Sequence, residues 1–319
     1  MINKKVNYKV PRNLLVLFEL IALVLLFIYQ KDNLNKFTLI SGGTLIFIIY
    51  ISNFILPRIS TGDSYIFLIV TMLISIGIIM IYRIDPLLGM KQVLWVGIGI
   101  IIFFATYFII KSIKGWDKWI KFYGITSIAL FIMTLLLGTR RKGAINWITI
   151  GRFGFQPTEL IKILVIFIIS SYYTNYEKYK EKKYGSYYLM GIIYLFIGFL
   201  FLQRDLGTVL LLYAVFLALQ FIYEEDRKLI LYNFLFFLFS GLLGYFMFSH
   251  VRVRFETWLN PWKYIDNKGY QITQSLFAIA TGGFFGTGIG LGYPDFIPEV
   301  HTDFIFSAIC EEMGIFTGI

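Results

Sequence analysis

The chain has 319 residues, 58% hydrophobic and 15% charged, with a mean hydropathy of +0.72 and a formal net charge of +10. Soluble domains run near about 45–50% apolar and about 25% charged, so this composition excludes an ordinary water-soluble fold. The basic balance does not indicate nucleic acid, because the lysines and arginines fall in short segments between apolar runs, where membrane topology and anionic lipid account for them.

A spanning helix needs roughly twenty apolar residues, since every backbone polar group must be satisfied inside hydrocarbon. Runs of this kind predict membrane helices over residues 13–29, 37–56, 64–82, 92–110, 119–138, 158–173, 187–202, 205–223 and 229–249, and a tenth begins near Asp303 and is cut off by the end of the chain. The expected fold is an all-α polytopic membrane protein of nine transmembrane helices plus the start of a tenth. The N-terminus, MINKKVNYKVPR, has the basic flank of a signal peptide, but no small-residue cleavage site follows, so the first run reads as a retained span. Lys4, Lys5, Lys9 and Arg12, then Lys111, Lys114 and Lys118, then Lys178, Lys180, Lys182 and Lys183, then Arg227 and Lys228 share one side when the spans alternate. The positive-inside rule makes that side, and the N-terminus, cytoplasmic.

Two longer segments then face outward, residues 139–157 and 250–302. The first carries Arg140, Arg141, Lys142 and Arg152 against the rule; an anionic ligand and simple tolerance of charge in a short loop both account for them. The second is too long for a plain connector. Its aromatic residues (Phe255, Trp258, Trp262, Tyr264, Tyr270), the apolar stretch Ser275 to Ala280 and glycines 282, 283, 286, 288, 290 and 292 predict a large structured external region with an amphipathic interfacial helix.

Ionisable residues near span ends are the candidates for chemistry. Glu159 and Lys162, three apart in QPTELIK, share a helix face and can pair, although a cap by Thr158 and a first-turn glutamate explain Glu159 alone. Asp205, in QRDLGT, sits in a tight turn where an N-cap is the plainer reading. Asp303, in PEVHTDFIF beside His301 and Glu299, opens the last span; capping explains it but not Glu311 and Glu312 two turns on. The glycine cluster offers backbone N–H groups to a phosphate, a weak signal without a preceding strand. Two histidines, His250 and His301, make a histidine-rich metal site improbable, whereas a metal shared between carboxylate and diphosphate oxygens fits. The single cysteine, Cys310, excludes an intrachain disulfide.

In order along the chain, KGAINWITIGRFGFQPTELIK, QRDLGTVLL, GYQITQSLFAIATGGFFGTGIGLG and IPEVHTDFIFSAICEEMG resemble the signature blocks of the SEDS (shape, elongation, division and sporulation) family, the RodA, FtsW and SpoVE proteins. The similarity runs from about residue 64, which divides the chain into residues 1–57, a cytoplasmic tail and two additional helices, and 58–319, a SEDS-like core lacking the family's last two helices. The resemblance implies a peptidoglycan glycosyltransferase of the bacterial cytoplasmic membrane that polymerises lipid II and polyprenyl-diphosphate-linked glycan beside a class B penicillin-binding protein. It carries the essential aspartate onto Asp303, the loop tryptophan onto Trp147, the QPSE glutamate and lysine onto Glu159 and Lys162, and the QPDLGT aspartate onto Asp205. Arg204 stands where proline is usual and Asn146 where a basic residue is common.

The implied chemistry is attack of a sugar hydroxyl on an anomeric carbon. Asp303 is the expected base; Arg152, Lys162 and the basic 140s stabilise the diphosphate leaving group, with a divalent cation (Mg or Mn) an open addition. Trp147 stacks on a sugar or anchors the loop, and His301 joins the substrate-binding set. A lipid II flippase and a non-catalytic scaffold for a transpeptidase remain alternatives, and elongation, division and sporulation are not distinguished.

Overall fold

The computed structural model describes residues 8–29, 36–141, 144–151, 153–181 and 185–319. All nine expected spans are helices: α1 (Lys9–Tyr29), α2 (Lys36–Ile59), α3 (Ser64–Ile84), α4 (Pro86–Ser112), α5 (Ile120–Leu137), α6 (Pro157–Thr174), α8 (Gly185–Gln203), α9 (Leu206–Tyr223) and α10 (Arg227–Met247), with a short α7 (Tyr176–Lys180) after α6. Among the described residues eight are long and apolar enough to cross a membrane, and the apolar part of α8, Tyr187–Gln203, is somewhat shorter. The starts follow local chemistry. Asp63 Oδ1 accepts from Tyr65 N at 2.9 Å to cap α3, Asp226 Oδ1 accepts from Lys228 N to cap α10, and Pro86 opens α4 behind Asp85, whose Oδ1 accepts from Leu87 N.

The chain forms two compact units, one of Met1–Phe108 with Ser249–Ile319, the other of Ile109–Phe248. In the first, α1 and α2 pack with α3, so the two additional helices share a unit with the start of the core. Leu15, Leu45, Ile49, Ile78 and Val93 form one apolar layer, and Ala22, Leu23, Leu26, Ile79 and Tyr82 another. Two buried polar contacts join these helices: Ser75 Oγ donates to Glu19 Oε1 at 2.5 Å and Asn53 Nδ2 to Thr71 Oγ1 at 2.9 Å. Segment 250–302 is structured, as expected, with α11 (Ser249–Leu259) leading into it and the amphipathic α12 (Tyr270–Gly282) within it. The tenth helix begins at Ile305, as α13 (Ile305–Met313), and stops at Gly314, whose φ of +81° only glycine adopts freely, before α14 (Ile315–Gly318). α12 and α13 press together at Gly282, where a Cβ would lie 2.0 Å from the Cys310 carbonyl oxygen.

The second unit is built on α5, α6, α8 and α9, with Phe131, Ile168, Phe196, Leu200 and Phe216 buried at its centre. Segment 139–157 departs from the all-α expectation. It forms three antiparallel strands, β1 (Thr139–Arg141), β2 (Ala144–Ile150) and β3 (Phe153–Phe155), in the order β1-β2-β3. β2, AINWITI, is rich in β-branched and aromatic residues and too short for a helix. It packs against α5, α6 and α8.

Candidate active site

In the second unit, α8 ends in two backbone bonds, Arg204 N to Phe201 O and Asp205 N to Leu200 O, both 3.0 Å, with Arg204 at φ +60°. This is a Schellman ending with arginine where glycine usually sits. It delivers Asp205 to the start of α9, where Oδ1 accepts from Thr208 N at 3.2 Å and Oδ2 from Asn146 Nδ2 at 3.0 Å. The capping reading of Asp205 therefore holds, and the same carboxylate ties the β-sheet to α9. Thr139 pairs with Trp147 but Arg140 with Ile145, so Asn146 is the extra residue of a bulge in β2, beside Trp147. Trp147 is half-buried, and its carbonyl accepts from Thr139 Oγ1 at 3.1 Å.

At the start of α6, Pro157 follows Gln156, which occupies the cap position, so Thr158 is not the cap. Its side chain is buried, with Oγ1 unpartnered among the described residues. Lys162 Nζ pairs with Glu159 at 2.8 Å, but the side chains are 32% and 58% exposed. The expected pair exists; its expected burial does not, because both residues fall off the buried stripe of α6, which runs through Thr158, Ile161, Val165 and Ile168. The Lys162 side chain edges an apolar crevice of about 90 Å³ with Val165, Ile166, Leu211, Leu212 and Val215. Arg140 is exposed on β1, while Lys142 and Arg152 lie outside the described residues.

Sequence reasoning missed Gln203, the residue before Arg204. It is fully buried, with both amide atoms unpartnered among the described residues. An amide closing an apolar span was its signal.

In the first unit, Asp303 lies in a turn in which its own N–H and that of Thr302 reach Glu299 O at 3.0 and 3.1 Å, with Glu299 at φ +55°. α13 starts after Phe304, so Asp303 is not its cap. The Asp303 carboxylate is exposed and makes no hydrogen bond or ion pair among the described residues, and His301 is half-buried in the same turn. In the glycine cluster, three N–H groups that the weak phosphate signal included are taken within the protein. Gly286 N bonds Gly282 O, Gly288 N bonds Glu312 O, and Gly290 N bonds Glu312 Oε2. Among the described residues no group of three or more His, Cys, Asp or Glu is arranged to hold a metal.

The model of the FtsW/RodA/SpoVE family, described as cell cycle protein, matches residues 63–319. The chain is 31% identical to the peptidoglycan glycosyltransferase RodA of Mycobacterium bovis, over 79% of this chain and 59% of that protein, so it spans about six-tenths of that relative's length. It is 29% identical to the stage V sporulation protein E of Bacillus subtilis over 81% of this chain and 75% of that one, and 32% identical to the probable peptidoglycan glycosyltransferase FtsW of Wigglesworthia glossinidia brevipalpis over 81% and 71%. A solved structure described as the structural coordination of polymerization and crosslinking by a peptidoglycan synthase complex shares the fold, with a TM-score of 0.59 at 22% identity over 80% of this chain and 72% of that one. Eight apolar spans and a match over most of its length have one consequence: this multi-pass membrane protein belongs to the FtsW/RodA/SpoVE family.

Proposed function

We propose that the protein is a peptidoglycan glycosyltransferase, polymerising lipid II into glycan strands at the outer face of the bacterial cytoplasmic membrane. The observation that carries this reading is the Asp303 carboxylate, exposed and without a partner among the described residues, in a turn where capping does not require it. A sugar hydroxyl is a poor nucleophile until a carboxylate within hydrogen-bond reach takes its proton. In the proposed step the oxygen of one glycan forms a bond to the anomeric carbon of another, Asp303 accepts the hydroxyl proton, and polyprenyl diphosphate leaves with the bonding pair.

Cations stabilise the departing diphosphate more than the ground state. In the second unit Lys162 is the cation proposed for that role, paired with Glu159 at the mouth of an apolar crevice suited to the first carbons of a polyprenyl chain. Asp205 holds the sheet that carries the half-buried Trp147, whose ring is the one proposed to meet a sugar face. A divalent cation, Mg or Mn, would be held by the substrate's diphosphate more than by the protein, since among the described residues no group of three or more His, Cys, Asp or Glu is arranged for one, and it would supply charge neutralisation to the leaving group. The partner is a class B penicillin-binding protein that crosslinks the product, a pairing supported by the structural neighbour, which is described as a complex of both activities. The N-terminus is cytoplasmic on the distribution of lysine and arginine.

Purified full-length protein incubated with lipid II is expected to yield glycan polymer, with Asp303→Asn lowering the rate about 10²–10⁴-fold. Transport of lipid II in proteoliposomes without polymer, or full polymerisation by Asp303→Asn, overturns the assignment.

A further inference from the structure

Glu311 and Glu312 lie where neither capping nor the proposed proton transfer uses them, yet they are only 4% and 1% exposed. Their surroundings are specific. Glu312 Oε1 pairs with Arg83 Nε at 3.0 Å, and Glu312 Oε2 accepts from Gly290 N at 2.7 Å. Arg83 Nη2 donates to Gly290 O at 3.2 Å and to Gly292 O at 3.0 Å. Glu311 Oε1 accepts from Tyr293 N at 2.9 Å, and its carbonyl accepts from both Thr287 N and Thr287 Oγ1. The contact is close: a Cβ at Gly292 would meet Glu312 Cγ at 2.8 Å.

Three elements distant in sequence thus converge, the end of α3, the glycine segment and the end of α13. Between the last two runs the segment from Pro294 to Phe304, which carries Asp303 and His301. One end of that strap is fastened at Gly290, Gly292 and Tyr293, and the other continues into α13, whose far end supplies the two glutamates. A buried ion pair adds little to stability compared with apolar packing of similar volume. A guanidinium fork meeting two carbonyls and a carboxylate does fix backbone geometry, and a lysine ammonium has no such planar set of donors.

We propose that Arg83, Glu311 and Glu312 are positioning residues that clamp the strap bearing Asp303, so that the clamp, rather than any contact of the carboxylate, sets where that carboxylate stands. The catalytic consequence rests on the function proposed above; the conformational one does not. A misplacement of about 1 Å in a reacting group costs about 10²-fold in rate.

The test uses the full-length protein with Cys310→Ala and spin labels at Asp295→Cys on the strap and Thr281→Cys on α12, both exposed positions of one unit. Arg83→Lys, which keeps the buried charge, and Glu312→Gln, which keeps an acceptor for Gly290 N, are each expected to broaden the label–label distance distribution, whereas Asp303→Asn leaves it narrow. In the unlabelled protein the first two are expected to lower kcat of polymerisation about 10–100-fold with KM within about threefold. An unchanged distribution in both variants, or a broadened one with kcat within twofold of the parent, overturns the proposal. If the parent forms no polymer, the functional reading fails and the distance measurement alone decides the clamp.

Discussion

Arg204 holds the join between α8 and α9 in a conformation that arginine rarely takes. At φ +60° it closes the Schellman ending that presents Asp205 to Asn146 and to Thr208 N. A left-handed residue with a Cβ costs about 1–2 kcal/mol, and glycine avoids this while losing about 0.5–1 kcal/mol more chain entropy on folding, so Arg204→Gly should stabilise the protein by a few tenths to about 1 kcal/mol. Proline, usual at this place in the family block that the sequence resembles, is locked near φ −65° and has no N–H for Phe201 O. Arg204→Pro should therefore cost about 3 kcal/mol or more here, and should loosen Asp205 from Asn146. Thermal unfolding of the two variants and the parent in one detergent gives the order: glycine above arginine above proline. A proline variant as stable as the parent, or a glycine variant clearly less stable, would refute the Schellman reading of this turn.

The exposed Glu159–Lys162 pair should be worth less than about 1 kcal/mol in a double-mutant cycle of Glu159→Gln and Lys162→Met read by thermal stability. A coupling of about 3–5 kcal/mol would restore the buried pair that the sequence suggested. Tyr176, on α7, donates to the Glu224 carboxylate, which is 4% exposed, so Tyr176→Phe should cost about 1–3 kcal/mol near neutral pH by leaving that carboxylate unpaired. Burial, the hydrogen bond to Glu224 and the nearby carboxylates push the Tyr176 phenol up, so its contribution is complete below the ordinary tyrosine range and is lost as pH rises through the raised value; the two stability profiles should converge only in strong alkali. A constant gap at every alkaline pH would deny the link. Cysteines placed at Arg140 and Thr281 in a Cys310→Ala background should react with an impermeant maleimide on intact spheroplasts, and protection of both until the membrane is opened would reverse the orientation.

The helices were legible because in lipid each span must satisfy its own backbone, so its identity is written in about twenty consecutive residues and needs no neighbour. The caps at Asp63, Asp205 and Asp226 are equally local. Asp303 was singled out through its block, and its freedom from capping is seen only through the position of the first turn of α13. What depends on residues far apart in the chain was not legible. Segment 139–157 is a sheet because β2 finds β1, β3 and three helices to pack on, and Arg204 is left-handed because α8 and α9 must join there. Glu159 is exposed because α6 turns its packed face elsewhere. Glu311 and Glu312 gained their meaning from Arg83, more than two hundred residues earlier, and from the backbone N–H groups of Gly290 and Tyr293. Hydrophobic length is a property of a segment, whereas the satisfaction of a buried charge is a property of whatever the fold brings beside it; the first is therefore read from the sequence, and the second only from the tertiary structure.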